Sequence, residues 1–211
     1  MTFSPLLLEL MASRICHDLV SPVGAIQNGI EFAEEMGMDD GAEEAFGLIG
    51  HSAKTAAARL QVFRLVYGQG GKDAGIKPED VHAAFDKLLS VDSKVTQNWD
   101  PHADLGLNDG PDGFCKVLTA TLMLAQECLP KGGAITVTSG DNENTIVTAS
   151  GERVKIRDYV DECLQLLLPV GDLDARLVHP YVSAVLAKEC GYQIALHDEQ
   201  DTHVSFEISL A

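Results

Sequence analysis

Basic residues are scarce in this chain, and that scarcity excludes several classes of partner. The 211 residues hold 15 Lys and Arg against 32 Asp and Glu, a formal charge of −17. So acidic a surface repels nucleic-acid phosphates and anionic lipid, and neither a nucleic acid nor a membrane is expected as a partner. Any partner must meet a locally compatible patch instead. No apolar run is long enough to cross a bilayer. Met1-Thr2-Phe3-Ser4-Pro5 has no basic region of a secretion signal, so a cytoplasmic location is expected. The five cysteines, Cys16, Cys115, Cys128, Cys163 and Cys190, are odd in number and include no C-x-x-C pair. That disfavours structural zinc and a disulfide framework, and predicts reduced, mostly buried thiols. Internal repeats and low-complexity segments are also missing.

What is present is a chain 45% apolar, enough to bury a sizeable core in one or two domains. Helical periodicity runs over residues 5–36, with Leu8, Ala12, Ile15, Leu19, Ile26, Ile30 and Ala33 as its apolar stripe. Pro22 interrupts it, because it has no amide to donate to the carbonyl of Asp18, and a kink or loosening is expected there. Gly37-Met38-Asp39-Asp40-Gly41 reads as a turn. A second helix over 42–67 follows, with Ala45, Ile49, Ala53, Ala56, Leu60, Phe63 and Tyr67 as its stripe. Two such helices form an antiparallel hairpin, and a lone hairpin leaves apolar surface exposed. Pairing with a second copy into a dimeric four-helix bundle is the natural completion.

Residues 70–77, rich in glycine, read as a linker between a hairpin domain at 1–69 and a second domain at 78–211. The second domain mixes helix and strand. Helices are expected at 78–89, 112–129, 157–168 and 180–190, and strands at 94–99, 134–139, 145–149, 192–197 and 203–210. The fold class is therefore α+β, a helical hairpin followed by an α/β sandwich.

The chemistry centres on Ser13-Arg14-Ile15-Cys16-His17-Asp18-Leu19-Val20-Ser21-Pro22-Val23. His17 points about 200° away from the apolar stripe, onto a face of small and polar residues. An unhindered imidazole beside a carboxylate suits phosphoryl transfer. Asp18 can orient the ring or accept its proton, which keeps the other nitrogen nucleophilic. Arg14, Ser21, Gly24 and Asn28 lie one to three turns away on that face and are candidates for auxiliary or docking roles. The bland reading pairs Asp18 with Arg14 on the surface, a contact of roughly 0.2–0.5 kcal/mol. His51, His82, His102, His179, His197 and His203 have no ligand-like spacing and read as structural or solvated.

The run from His17 to Pro22 resembles the H-box of sensor histidine kinases, in which a His, an acidic residue, an apolar residue and a later Pro recur. The remainder of the chain resembles the kinase ATP-binding domain in the order of its elements. The nucleotide motifs of that domain are missing, however. The helix expected to carry a magnesium-holding asparagine has Leu124 at that place. The adenine-reading aspartate falls at Thr148-Ala149-Ser150-Gly151, and the glycine-rich phosphate loop at Asp174-Ala175-Arg176-Leu177-Val178-His179-Pro180.

An H-box hairpin joined to a kinase-like domain without those motifs is similar to the ChpT-type histidine phosphotransferases of alphaproteobacteria. Cys16-His17-Asp18 and Ser21-Pro22-Val23-Gly24-Ala25 carry the likeness. The resemblance implies a homodimer that takes a phosphoryl group on His17 from the receiver domain of a hybrid kinase and passes it to response-regulator receivers. It implies a phosphotransferase that binds no ATP and needs no cofactor of its own, with Mg²⁺ held by the partner receiver. Two other readings stay open: an active histidine kinase with a divergent ATP site, and a dimeric scaffold that binds receivers without transferring phosphate.

Overall fold

The structure, a computed structural model, describes residues 4–36, 42–68, 75–92, 94–107 and 111–211. The expected turn at 37–41 and residues 70–74 of the expected linker lie outside them. Helices α1 (Pro5–Met36) and α2 (Ala42–Tyr67) pack side by side as the hairpin. Helix α1 continues through Pro22 to Met36.

The inward faces of both helices differ from the expected stripes. On α1 the most buried positions are Pro22 and Gly29, whereas Leu8, Ala12 and Ile30 are exposed. On α2, Ala45, Ser52, Thr55, Ala56, Val62 and Val66 turn inward, and Ala53 and Leu60 turn out. The hairpin is closed through small residues: a Cβ added at Gly29 would meet Ile49 at 2.7 Å. The Thr55 hydroxyl is satisfied by the His51 carbonyl at 3.0 Å. Large apolar side chains are left for the outer face, among them Leu8, Val20, Val23, Ile30, Phe46 and Leu60. A stripe chosen by hydrophobicity alone therefore mixes two faces, because this hairpin has apolar residues on both.

The second half is a five-stranded sheet covered by helices. Its elements are α3 (Pro78–Asp92), β1 (Val95–Gln97), α4 (Phe114–Glu127), β2 (Gly133–Ser139), β3 (Thr145–Ser150), α5 (Val160–Leu164), α6 (Val178–Glu189), β4 (Tyr192–Gln200) and β5 (His203–Leu210), with a 3₁₀ turn at Val170–Asp172. Strand order is β1-β2-β3-β5-β4. Only β1–β2 is parallel among these pairs; the others are antiparallel. At the start of α3, the Asp80 carboxylate accepts the Lys77 amide at 3.0 Å, satisfying a donor at the helix entrance. Gly133 enters β2 at φ 151°, where a Cβ would lie 2.2 Å from the Ser150 carbonyl oxygen, so the turn admits no side chain.

Several expected elements change length: β1 shortens from 94–99 to Val95–Gln97, and α3 runs three residues further, to Asp92. The helix expected over 157–168 is only Val160–Leu164. It ends in a Schellman closure: the Leu166 amide donates to the Cys163 carbonyl and the Leu167 amide to that of Glu162, with Leu166 left-handed at φ 57°. Leucine is unusual there, so no glycine marked the stop. Strand β4 runs on to Gln200 because a bulge between Leu196 and Asp198 absorbs one residue and pairing with β5 resumes beyond it.

Helix α4 is the centre of the core, buried along its whole length from Phe114 to Ala125. The core continues from it into α2, where Ala58, Val62, Phe63, Leu65 and Val66 belong to the same apolar cluster as Phe85, Leu122, Ile135 and Phe206. Two polar contacts accompany that junction. Lys116 donates to the Gly68 carbonyl just past the end of α2 at 2.7 Å, and the Tyr67 hydroxyl lies 2.8 Å from Nδ1 of His179 on α6.

Candidate active site

His17 stands on the outer side of α1 with its side chain 88% exposed. The neighbouring helix packs against the other side of α1, so the ring is left exposed. Its Nδ1 lies 3.3 Å from Oδ1 of Asp18. If Asp18 accepts a proton carried on Nδ1, the lone pair is on Nε2. Asp18 faces two ways. Its carboxylate reaches the His17 ring, while the residue, 31% exposed in its side chain, also lines a cleft between α1, α2, α3 and α4.

That cleft encloses about 260 Å³ and is walled by Arg14, Arg59, Phe63, Leu88, Met123 and Glu127 besides Asp18. Arg14, expected on the same face as His17, points into it and pairs with Glu127 at the end of α4. Burial opposes the Arg14 charge, but Glu127, Tyr67 and Asp18 together outweigh it and hold its pKa above the ordinary value. Burial also pushes the Glu127 carboxyl up, against the pull of Arg14 and Arg157. Arg14 thus ties α1 to the end of α4, and its side chain is turned into the cleft instead of onto the open face that carries His17. Across the cleft, Arg59 of α2 donates from Nη1 to the main-chain carbonyl of Asp18.

Ser21 and Asn28 are exposed, and a Cβ at Gly24 would meet nothing within 4 Å. These positions share the open side of α1 with His17 and leave it accessible. Of the candidates, the structure brings only His17 and Asp18 into direct contact.

Sequence reasoning missed Arg59 and Glu127. Pro22 was a usable signal for the first, since a carbonyl deprived of its helical donor needs another. Glu127 is 113 residues from Arg14, and no local pattern links them.

The positions where nucleotide motifs are missing have structural occupations. Leu124 is 3% exposed, inside the core. On the same helix, the hydroxyls of Thr119 and Thr121 donate back to the Cys115 and Val117 carbonyls at 2.6 and 2.9 Å. Thr148 shares a hydrogen bond with Ser205 at 2.9 Å. Asp174 accepts the amides of Arg176 and Leu177 at 2.7 and 2.8 Å and closes the turn that leads into α6. His179 is fully buried. Burial, and secondarily the Arg14 charge, hold it well below 6.5, so it stays neutral. Tyr67, its pKa raised by burial, stays protonated and shares a hydrogen bond with the His179 Nδ1. Among the described residues no group of three or more His, Cys, Asp or Glu is arranged to hold a metal ion. Among the same residues no helix is long and apolar enough to cross a membrane.

Comparison with known proteins bears on this arrangement. A family described as the histidine phosphotransferase C-terminal domain matches residues 78–202. The protein phosphotransferase ChpT of Brucella abortus (strain 2308) is 34% identical, with 89% of this chain and 88% of that protein covered. A solved bacterial phosphotransferase is 29% identical and superposes with a TM-score of 0.76, covering 99% of this chain and 98% of that one.

Proposed function

The chain belongs to the histidine phosphotransferase family, and on that premise we propose that it is a phosphorelay intermediate whose phosphoacceptor is His17. It takes a phosphoryl group from an aspartyl phosphate on a hybrid-kinase receiver and hands it to the receivers of response regulators. The observation that carries this reading is the His17 imidazole, 88% exposed, with Nδ1 3.3 Å from the Asp18 carboxylate.

The chemistry follows from that geometry. The Nε2 lone pair attacks phosphorus in line, the N–P bond forms, and the P–O bond to the receiver's aspartate breaks, returning a carboxylate to the receiver. Attack leaves the ring cationic with its proton on Nδ1, facing Asp18, which stabilises that charge or takes the proton. The onward transfer is the reverse, to a second aspartate. The receiver brings Mg²⁺ for the phosphoryl oxygens, and this chain brings a positioned nucleophile and no cofactor.

Three further features fit the same reading. The apolar outer face of the hairpin, with Leu8, Val20, Val23 and Ile30 among its exposed residues, suits a second copy and a four-helix bundle. Leu124 buried in the core leaves no carboxamide there for a metal–nucleotide complex, in keeping with a domain at 78–211 that binds no ATP. Ser21, Gly24 and Asn28 leave room on α1 for a receiver to approach. The expected setting is the cytoplasm.

The test is radiolabel transfer. A receiver carrying labelled aspartyl phosphate should label the wild-type chain and leave His17→Ala unlabelled, and labelled ATP with Mg²⁺ alone should label neither. Labelling of His17→Ala, or autophosphorylation from ATP, refutes the proposal.

A further inference from the structure

Pro22 and Arg59 are coupled across the hairpin, and the coupling bears on His17. In an unbroken helix the amide of residue 22 donates to the carbonyl of Asp18. Proline has no amide hydrogen, so that carbonyl is left without its helical donor. The side of α1 where this happens is turned toward α2: Pro22 is buried and Asp18 half-buried against the cleft. The Nη1 of Arg59, forty-one residues on, donates to this same oxygen. A guanidinium is always charged and makes a stronger donor than the amide it replaces.

From this we propose that Arg59 is a positioning residue for phosphoryl transfer. It supplies the donor that Pro22 removes and so holds the Asp18 main chain, and with it the carboxylate that faces Nδ1 of His17. The peptide unit and the carboxylate of Asp18 share one Cα. A fixed carbonyl therefore limits where the carboxylate can swing, and keeps Nδ1 the protonated nitrogen and Nε2 the nucleophile. In this role Arg59 acts through Asp18, not on the ring or the phosphoryl group. The inference rests on the phosphoacceptor role of His17, and its test separates the two.

The full chain is made as wild type, Arg59→Ala, Arg59→Lys, Pro22→Ala and the double variant Pro22→Ala/Arg59→Ala. Two quantities are read: the rate of labelling by a phosphorylated receiver, and the His17 tautomer by long-range ¹H–¹⁵N correlation in the absence of any partner. With Pro22 in place, Arg59→Ala is expected to slow labelling about tenfold, the scale of one hydrogen bond from a charged donor, and to move protons from Nδ1 to Nε2. Arg59→Lys should recover part of both. In the Pro22→Ala background the amide returns to the Asp18 carbonyl, and the same Arg59→Ala change should cost less than about twofold. Equal losses in the two backgrounds, or an unchanged tautomer in Arg59→Ala, overturn the proposal. If the wild-type chain takes no label, the relay reading fails, and the tautomer cycle still decides whether Arg59 positions the ring.

Discussion

The Arg14–Glu127 pair gives the sharpest quantitative expectation. The two side chains are 15% and 25% exposed, so each charge depends on the other more than on water. Removing one partner from a buried pair costs about 3–5 kcal/mol. Here the pair borders an open cleft of about 260 Å³ that admits water, so Glu127→Ala is expected to cost about 2–3 kcal/mol. Arg14→Met should cost somewhat less, about 1–2 kcal/mol, because Arg157 remains near enough to Glu127 to lower its pKa. The double variant Arg14→Met/Glu127→Ala removes both charges. It should cost no more than about 1 kcal/mol, against about 3–5 kcal/mol for the two singles added, a coupling of about 2–5 kcal/mol. For a domain near this size 1 kcal/mol moves the midpoint by about 2–4 °C, so Glu127→Ala should melt about 5–10 °C lower. Circular dichroism melts and urea titrations at one fixed protein concentration measure this, since self-association would otherwise shift the midpoint. Costs that simply add in the double variant, or a Glu127→Ala cost under about 0.5 kcal/mol, refute the reasoning.

Two further outcomes are expected. Burial, with Arg14 beside it, keeps His179 well below 6.5, so the unfolded chain binds a proton that the folded one does not. Stability then rises with pH in the window below about 6.5. Urea unfolding at about pH 5.5 should show wild type losing about 1.4 kcal/mol more, relative to about pH 7.5, than His179→Gln does; identical pH responses would contradict this. Cysteine alkylation gives the second. Only Cys16 is exposed, while burial pushes the thiols of Cys115, Cys128 and Cys163 to about 11, 12 and 11. Intact mass after maleimide treatment of the native protein should show one adduct, mapped to Cys16, and a second adduct at a buried cysteine would be the contrary result.

Much of this architecture was legible because it is written locally. Pro78 with Asp80, Gly132-Gly133 before β2, and the solid apolar face of α4 each announce an element through its own residues. The exposure of His17 was also local, since its angular distance from the apolar residues of α1 holds whichever of the two apolar faces packs inward. What escaped was written elsewhere in the chain. The facing of α1 is set by Gly29 against Ile49, and the place of Arg14 by Glu127 at the far end of α4. The end of α5 escaped because Leu166 adopts at φ 57° a conformation that glycine usually advertises. The nucleotide positions were read from a missing pattern, and the structure adds what stands there instead: a core leucine, a sheet hydroxyl pair and an aspartate-closed turn.

The apolar cluster that runs from the last turns of α2 into the sheet has a mechanical consequence. Val62, Phe63, Leu65 and Val66 cannot leave the hairpin's company without opening the core around Phe85 and Leu122. Hairpin and sheet are therefore one cooperative body, expected to melt in a single transition. The distance from His17 to the sheet is then set by that shared packing. In the relay proposed above, each visiting receiver meets that same frame, so the frame works as a gauge: a visitor either fits it or does not reach the ring.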